Sequence, residues 1–92
     1  MIEVGTIVIS KKGRDKGRAF AVFDEVSDNY VLIADGNYHK IQKPKLKNIK
    51  HLQMTKLKTD ILILPNIKDV QSNNKKLSAD IKALLDKEVS HN

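Results

Sequence analysis

Residues 1–60 consist of short segments rich in β-branched and aromatic residues. Glycines and other turn-forming residues separate these segments. Their length and composition predict strands, because such residues pack well on a pleated, half-buried surface. The predicted strands cover residues 4–10, 18–26, 30–34, 38–41 and 48–55. Asp35-Gly36 predicts a type I′ hairpin between the third and fourth strands. Five short strands joined by tight turns predict a mainly β fold, a small antiparallel barrel whose closure protects the sheet edges.

The last third of the chain has a different pattern. Residues 75–88 predict a helix, since Leu77, Ile81, Leu84 and Leu85 recur at helical spacing and form one apolar stripe. Residues 72–74, Ser-Asn-Asn, are candidate N-caps. We therefore divide the chain into a barrel over residues 1–60 and a linker with an amphipathic helix over residues 61–92. The stripe is expected either to pack on the barrel or to form a docking surface for a partner.

Positive charge is concentrated in the predicted barrel. The chain carries a net charge of +6, and residues 1–60 hold 12 Lys and Arg against 7 Asp and Glu. Residues 39–58 contain seven lysines and no acidic residue. A surface that serves only solubility normally mixes both signs. The distribution therefore favours a polyanionic partner, with nucleic acid ahead of an acidic membrane surface.

Signatures of catalysis and of metal binding are absent from the sequence. The chain has no cysteine, and its three histidines lack the spacing of a zinc site. Neither a GxxxxGK[ST] nor a GxGxxG loop occurs. We expect no enzymatic activity, no metal and no cofactor. Apolar runs stay well below the roughly 18 residues of a membrane span, and the N-terminus does not resemble a signal peptide. The sequence thus predicts a cytoplasmic protein without a membrane partner.

The strongest functional signal is the loop at residues 11–18, KKGRDKGR. Its two glycines allow a tight backbone that a phosphate can approach closely, and its five cationic side chains surround exposed backbone N–H groups. Arg14 and Arg18 can grip phosphate or stack on a base, whereas the lysines act as point charges. Asp15 is expected to orient an arginine or to cap the turn.

Three further residues have more than one interpretation. Tyr38 is the better candidate for stacking on a base, whereas Tyr30, inside an apolar strand, is expected in the core. His51 is either a barrel-wall residue or an RNA contact.

The residues expected to contact RNA are Lys11, Lys12, Gly13, Arg14, Lys16, Gly17, Arg18, Tyr38, Lys40, Lys43, Lys45, Lys47 and Lys50.

A strand, a GRDKG loop and a second apolar strand together resemble the KOW motif of ribosomal proteins and NusG-type elongation factors. Gly17 stands where that motif has its signature glycine. The segments AVFD at 21–24, DNYVLI at 28–33 and KNIKHL at 47–52 extend the match. They resemble the KOW-class large-subunit ribosomal protein of archaea and eukaryotes known as the fourteen-e type. The similarity covers residues 2 to about 61.

The resemblance implies an SH3-like barrel that binds ribosomal or other structured RNA. Ribosomal RNA and ribosomal proteins are the partners it implies, and the protein would be associated with the ribosome. The alternative hypothesis is a protein-interaction module in translation or transcription complexes, because SH3-like barrels also bind proteins. DNA is a weaker alternative, since the predicted helix has mixed charge and does not resemble a recognition helix.

Overall fold

In the computed structural model, which describes residues 2–60 and 70–89, five antiparallel strands form one sheet followed by a helix. The strands are β1 (Thr6–Ser10), β2 (Ala19–Glu25), β3 (Tyr30–Ala34), β4 (Lys45–Asn48) and β5 (Leu52–Lys58). Their order across the sheet is β4-β3-β2-β1-β5, and helix α1 covers Val70–Val89. The predicted fold class, a mainly β, SH3-like barrel of about five strands with a C-terminal helix, is confirmed.

Alternation along β2 separates two apolar clusters. Phe20 and Val22 point to one face, whereas Ala21 and Phe23 point to the other. The first face forms the inner core, whose buried members are Val8, Phe20, Val22, Val31, Ile33 and Leu52. Register shifts interrupt the ladder between Val22 and Asp24 and between Thr6 and Val8. Such bulges increase the local twist and help a short sheet to curl around its own core.

Helix α1 packs on the outer face of the sheet. Leu77 and Ile81 are buried in one cluster with Ile7 and Ala21. Leu84 and Leu85 lie half-buried beside it, so the apolar stripe contacts the strands. The Thr59 side chain also donates a hydrogen bond to the Asp80 carboxylate. Residues 61–69, the first part of the predicted linker, lie outside the described residues.

The predicted start of the helix was wrong. Asn73 and Asn74 lie within α1, which begins at Val70, and they are buried. The Asn74 side chain accepts a hydrogen bond from the Ile41 backbone N–H (2.8 Å) and donates one to Gln42 Oε1 (2.8 Å). Asparagine is favoured at helix starts because it bonds to nearby backbone, but Asn74 bonds instead to a segment far away in the sequence.

The fourth strand and the hairpin before it were also wrongly predicted. Residues 38–41 form bends and turns, and β4 follows Pro44. The Asp35 carboxylate accepts from the N–H groups of Asn37 (3.0 Å) and His39 (2.8 Å), donors that a strand would offer to its neighbour. Gly36 has a φ of 79°, but Asp35 does not have the positive φ that a type I′ turn requires. We call residues 35–44 the β3–β4 connection.

The fifth strand begins later than predicted. Residues Ile49–His51 form a single 3₁₀ turn, which the Asn48 side chain caps by accepting from the Lys50 N–H (3.0 Å). β5 then runs from Leu52 to Lys58. His51 is half-buried in this turn.

Candidate nucleic-acid interface

The basic loop at residues 11–18 connects β1 to β2 and is closed by backbone hydrogen bonds. Gly17 N–H donates to the Ser10 carbonyl (2.8 Å), and Ser10 N–H donates to the Arg18 carbonyl (2.9 Å). Gly13 and Gly17 have φ values of 82° and 86°, a region that glycine enters without steric cost. The exposed side chains of the loop are Lys11, Lys12, Arg14 and Lys16.

Several backbone N–H groups of the loop, which the sequence predicted to be exposed, are hydrogen-bonded within the protein. Lys16 N–H donates to the Gly13 carbonyl (3.2 Å), and Arg18 N–H donates to the Asp15 carbonyl (2.9 Å). Lys11 N–H donates to the carbonyl of His51 (2.7 Å). These donors hold the loop together and are not available to a phosphate. The exposed cationic groups of the loop are the side chains of Lys11, Lys12, Arg14 and Lys16.

Asp15 is the buried centre of this loop, with 5% of its surface exposed. Its Oδ2 atom lies 2.9 Å from His39 Nε2 and 3.0 Å from Lys45 Nζ. Its Oδ1 atom lies 3.8 Å from the Arg18 guanidinium. Asp15 thus orients an arginine, as expected, and also joins the loop to two residues beyond β3. No periodicity in the sequence indicated the contacts of Asp15 with His39 and Lys45, because 24 and 30 residues separate the partners.

Two opposing influences act on the pKa of Asp15. Burial raises the pKa, whereas the hydrogen bonds from His39 and Lys45, together with their positive charge, lower it. The net effect holds the pKa below its ordinary value of 3.8. Asp15 is accordingly ionised at neutral pH, and its carboxylate stabilises the folded loop.

We expect Asp15→Asn to lower the free energy of unfolding by about 1–3 kcal/mol at pH 7, because Lys45 and His39 lose a buried charged acceptor. The contribution of the ionised carboxylate to the free energy of unfolding is fully present above about pH 4, because Asp15 ionises near that pH in the unfolded chain. It is lost as the pH falls through the lower pKa of the folded state. Urea unfolding at pH 7, 5 and 3 should show the difference between wild type and variant shrinking at acid pH. Asp28→Asn, the same change in an exposed turn, should stay within about 0.5 kcal/mol of wild type. A difference that does not depend on pH would contradict this role of Asp15.

Lys47 is the second link between the loop and β4. It is buried, with 9% of its surface exposed, and its Nζ donates to the Lys12 carbonyl (3.2 Å). Lys47 was expected to contact RNA, but in the structure its ammonium group is hydrogen-bonded to the backbone of the loop. Lys45 lies two residues earlier on the same face of β4, is more exposed, and pairs with Asp15.

The other predicted contact residues lie around this junction. Lys40 and Lys43 are exposed in the β3–β4 connection. Lys50 is exposed in the 3₁₀ turn, next to His51, whose carbonyl accepts from Lys11. The structure therefore brings the basic loop (residues 11–18) and the lysine-rich segment (residues 40–50) into contact, although they are far apart in the sequence. Together they form what we call the basic face.

The two tyrosines, Tyr38 in the β3–β4 connection and Tyr30 at the start of β3, differ in their surroundings. Tyr38 is 57% exposed, and the Arg18 guanidinium lies 3.5 Å from the centre of its ring. Such a cation–π contact holds both groups in place. Tyr30 is 41% exposed, so its assignment to the core was wrong. The outward-facing end position of β3 opposite Asn48 explains its exposure.

Within residues 2–60 and 70–89, no cluster of three or more His, Asp or Glu side chains is arranged to hold a metal ion. In the same part of the chain, no helix is long and apolar enough to cross a membrane.

Comparison with known proteins supports the resemblance seen in the motifs. No protein-family model matches the chain. The large ribosomal subunit protein eL14 of Pyrobaculum arsenaticum is 36% identical over 61 residues, which cover 66% of this chain and 59% of that protein. The eL14 proteins of Saccharolobus islandicus and Saccharolobus solfataricus are each 38% identical over 60 residues, covering 65% of this chain and 62% of theirs. The similarity to eL14 is thus confirmed, and the chain spans about 60% of the length of these curated relatives.

Proposed function

We propose that this protein binds structured RNA through its basic face and acts in association with the ribosome. Ribosomal RNA is its main partner in this proposal, and ribosomal proteins are its neighbours. The observation that carries the proposal is the junction at Asp15. There the basic loop and the lysine-rich segment meet, so that side chains from two sequence regions form one cationic surface. The similarity to eL14, a protein named for the large ribosomal subunit, supports ribosomal RNA as the class of partner.

Charge and geometry explain how such a surface would bind. Phosphates of a folded RNA lie at irregular spacings, and a loop with exposed cations on both sides of its tip can contact several of them. Arg14 offers a planar fork that matches a phosphate, whereas Lys12 and Lys16 offer mobile point charges. The internal ion pairs of Asp15 keep the loop in one conformation, which reduces the entropy that binding would otherwise cost.

A binding assay across salt concentrations tests the proposal. Each phosphate neutralised should add about 0.7–0.9 to the slope of log affinity against log salt. About five contacts would therefore weaken binding to a structured RNA hairpin by roughly a hundredfold or more between 50 and 200 mM salt. Sedimentation of a lysate should also show the protein with ribosomal particles, and RNase treatment should release it.

A nearly flat salt dependence would contradict the proposal and would favour the protein-interaction module instead. That alternative would use the small apolar depression between β2 and α1, which Ala19, Ile81 and Leu85 line.

A further inference from the structure

A cavity of about 560 Å³ opens beside the basic face, in the β3–β4 connection. Its walls include Tyr38, His39, Lys40, Lys43, Pro44 and Lys45. The volume falls in the range of sites that hold small ligands, about 300–1,000 Å³. An aromatic ring together with several ammonium groups matches the chemistry of a nucleotide, which combines a flat base with an anionic phosphate.

Tyr38 separates this cavity from a smaller one of about 230 Å³ that lies next to helix α1. Tyr38 lines both cavities, but Arg18 lines only the smaller one. The guanidinium of Arg18, 3.5 Å from the ring centre, therefore covers the face of the ring on the side of the smaller cavity. Tyr38 also borders the larger cavity, which Arg18 does not line, so that a second flat group would approach the ring from that cavity.

The walls of the larger cavity are held in place by hydrogen bonds. Asp35 accepts from Asn37 and His39 at one end of the connection. At the other end, Asn74 from helix α1 accepts from Ile41 N–H and donates to Gln42. Lys43 N–H donates to the Lys40 carbonyl (2.9 Å), which closes a turn between the two exposed lysines. The connection is thus shaped before any ligand arrives.

We propose that this cavity binds one unpaired nucleotide of the RNA, with the base stacked on Tyr38 and a neighbouring phosphate bound by Lys40 and Lys43. The inference rests on the proposed function and adds to it a preference for RNA with a bulged or looped-out base. Bases inside a duplex have both faces covered by their neighbours, whereas an unpaired base can leave the helix and stack on a side chain. Lys45 has a supporting role, since its charge already pairs with Asp15.

Three synthetic RNA hairpins test this inference with the intact protein. The first has a single bulged adenosine, the second has an abasic residue at the bulge, and the third is fully paired. Stacking on one aromatic side chain should make wild type bind the adenosine bulge about five- to a hundredfold more tightly than the abasic bulge. The comparison between these two RNAs isolates the base, because their backbones carry the same phosphates.

Protein variants then assign the preference to the cavity. Tyr38→Ala should bind the adenosine bulge no better than the abasic bulge, whereas Tyr38→Phe should keep the preference. Tyr30→Ala, which removes another exposed tyrosine from the far end of β3, should also keep it. Circular dichroism checks that each variant is folded. If Tyr38→Ala does not fold, equal affinity of wild type for the adenosine and abasic bulges would still overturn the inference.

The outcomes separate the two proposals. Equal affinity of wild type for the adenosine and abasic bulges, with a steep salt dependence, would overturn the nucleotide site and leave RNA binding in place. A preference that survives in folded Tyr38→Ala would move the base contact away from this cavity and overturn the site as proposed. Failure to bind any of the three hairpins would overturn both proposals.

Discussion

Replacing Arg14 and Lys16 together with Ala is expected to weaken binding to a structured RNA hairpin by about 2–4 kcal/mol, because two charge-assisted contacts to phosphate are lost. The slope of log affinity against log salt should flatten by about two phosphate equivalents. The effect should be similar for RNAs of different sequence, since phosphate contacts carry no base information. Fluorescence anisotropy at several salt concentrations measures affinity and slope together.

A matched control removes the same charge elsewhere. Lys56→Ala with Lys76→Ala also lowers the net charge by two, and both lysines are exposed. Lys56 lies four residues along β5 from Leu52, which pairs with Ser10 beside the basic loop, and Lys76 lies on α1. This control should change the affinity far less. Both variants should unfold within about 0.5 kcal/mol of wild type. Equal losses of affinity in the two variants would show that total charge, not the loop, determines binding.

Gly36→Ala is expected to destabilise the protein by about 2–5 kcal/mol. Gly36 has a φ of 79°, a conformation that costs a residue with a side chain about 1–2 kcal/mol. A Cβ atom at this position would also overlap the backbone carbonyl of Asn74 in helix α1. Relieving that overlap requires the helix and the β3–β4 connection to separate, and overpacking of this kind typically costs about 1–3 kcal/mol more. Urea unfolding followed by circular dichroism gives the loss directly.

Gly17→Ala provides the control for backbone strain alone. Its φ of 86° is nearly the same, but a Cβ atom at Gly17 would have no neighbouring atom within 4 Å. We therefore expect a loss of only about 1–2 kcal/mol at this position. Equal losses at the two glycines would mean that α1 does not hold the connection as tightly as the contact at Gly36 indicates.

Local patterns in the sequence were sufficient to predict the first three strands and the helix. The alternation of Phe20, Ala21, Val22 and Phe23 is enough to assign the two faces of β2, because successive side chains in a strand point to opposite sides. The apolar stripe from Leu77 to Leu85 predicted the helix, because side chains three and four residues apart lie on the same face of a helix. The basic loop and its two glycines were recognisable because the signal lies within eight consecutive residues.

Tertiary contacts decided everything that depends on residues far apart in the chain. The β3–β4 connection was predicted as a tight hairpin and a strand, but the Asp35 carboxylate and the Asn74 amide take the N–H groups that a strand would have used. Asn74, in turn, was predicted as a helix cap because sequence patterns cannot show that Ile41, 33 residues away, presents an N–H to it.

For the candidate site, too, some features follow from the sequence and others only from the tertiary structure. The sequence by itself determined which residues are cationic, that a glycine-containing loop presents several of them, and that the first two-thirds of the chain forms a small barrel. Only the tertiary structure decided that Asp15 joins this loop to His39 and Lys45, that Lys47 is buried and bonded to the loop, and that the Arg18 guanidinium covers one face of the Tyr38 ring. The physical reason is that hydrogen bonds and ion pairs depend on distance in space, and folding brings together side chains whose spacing along the chain follows no period.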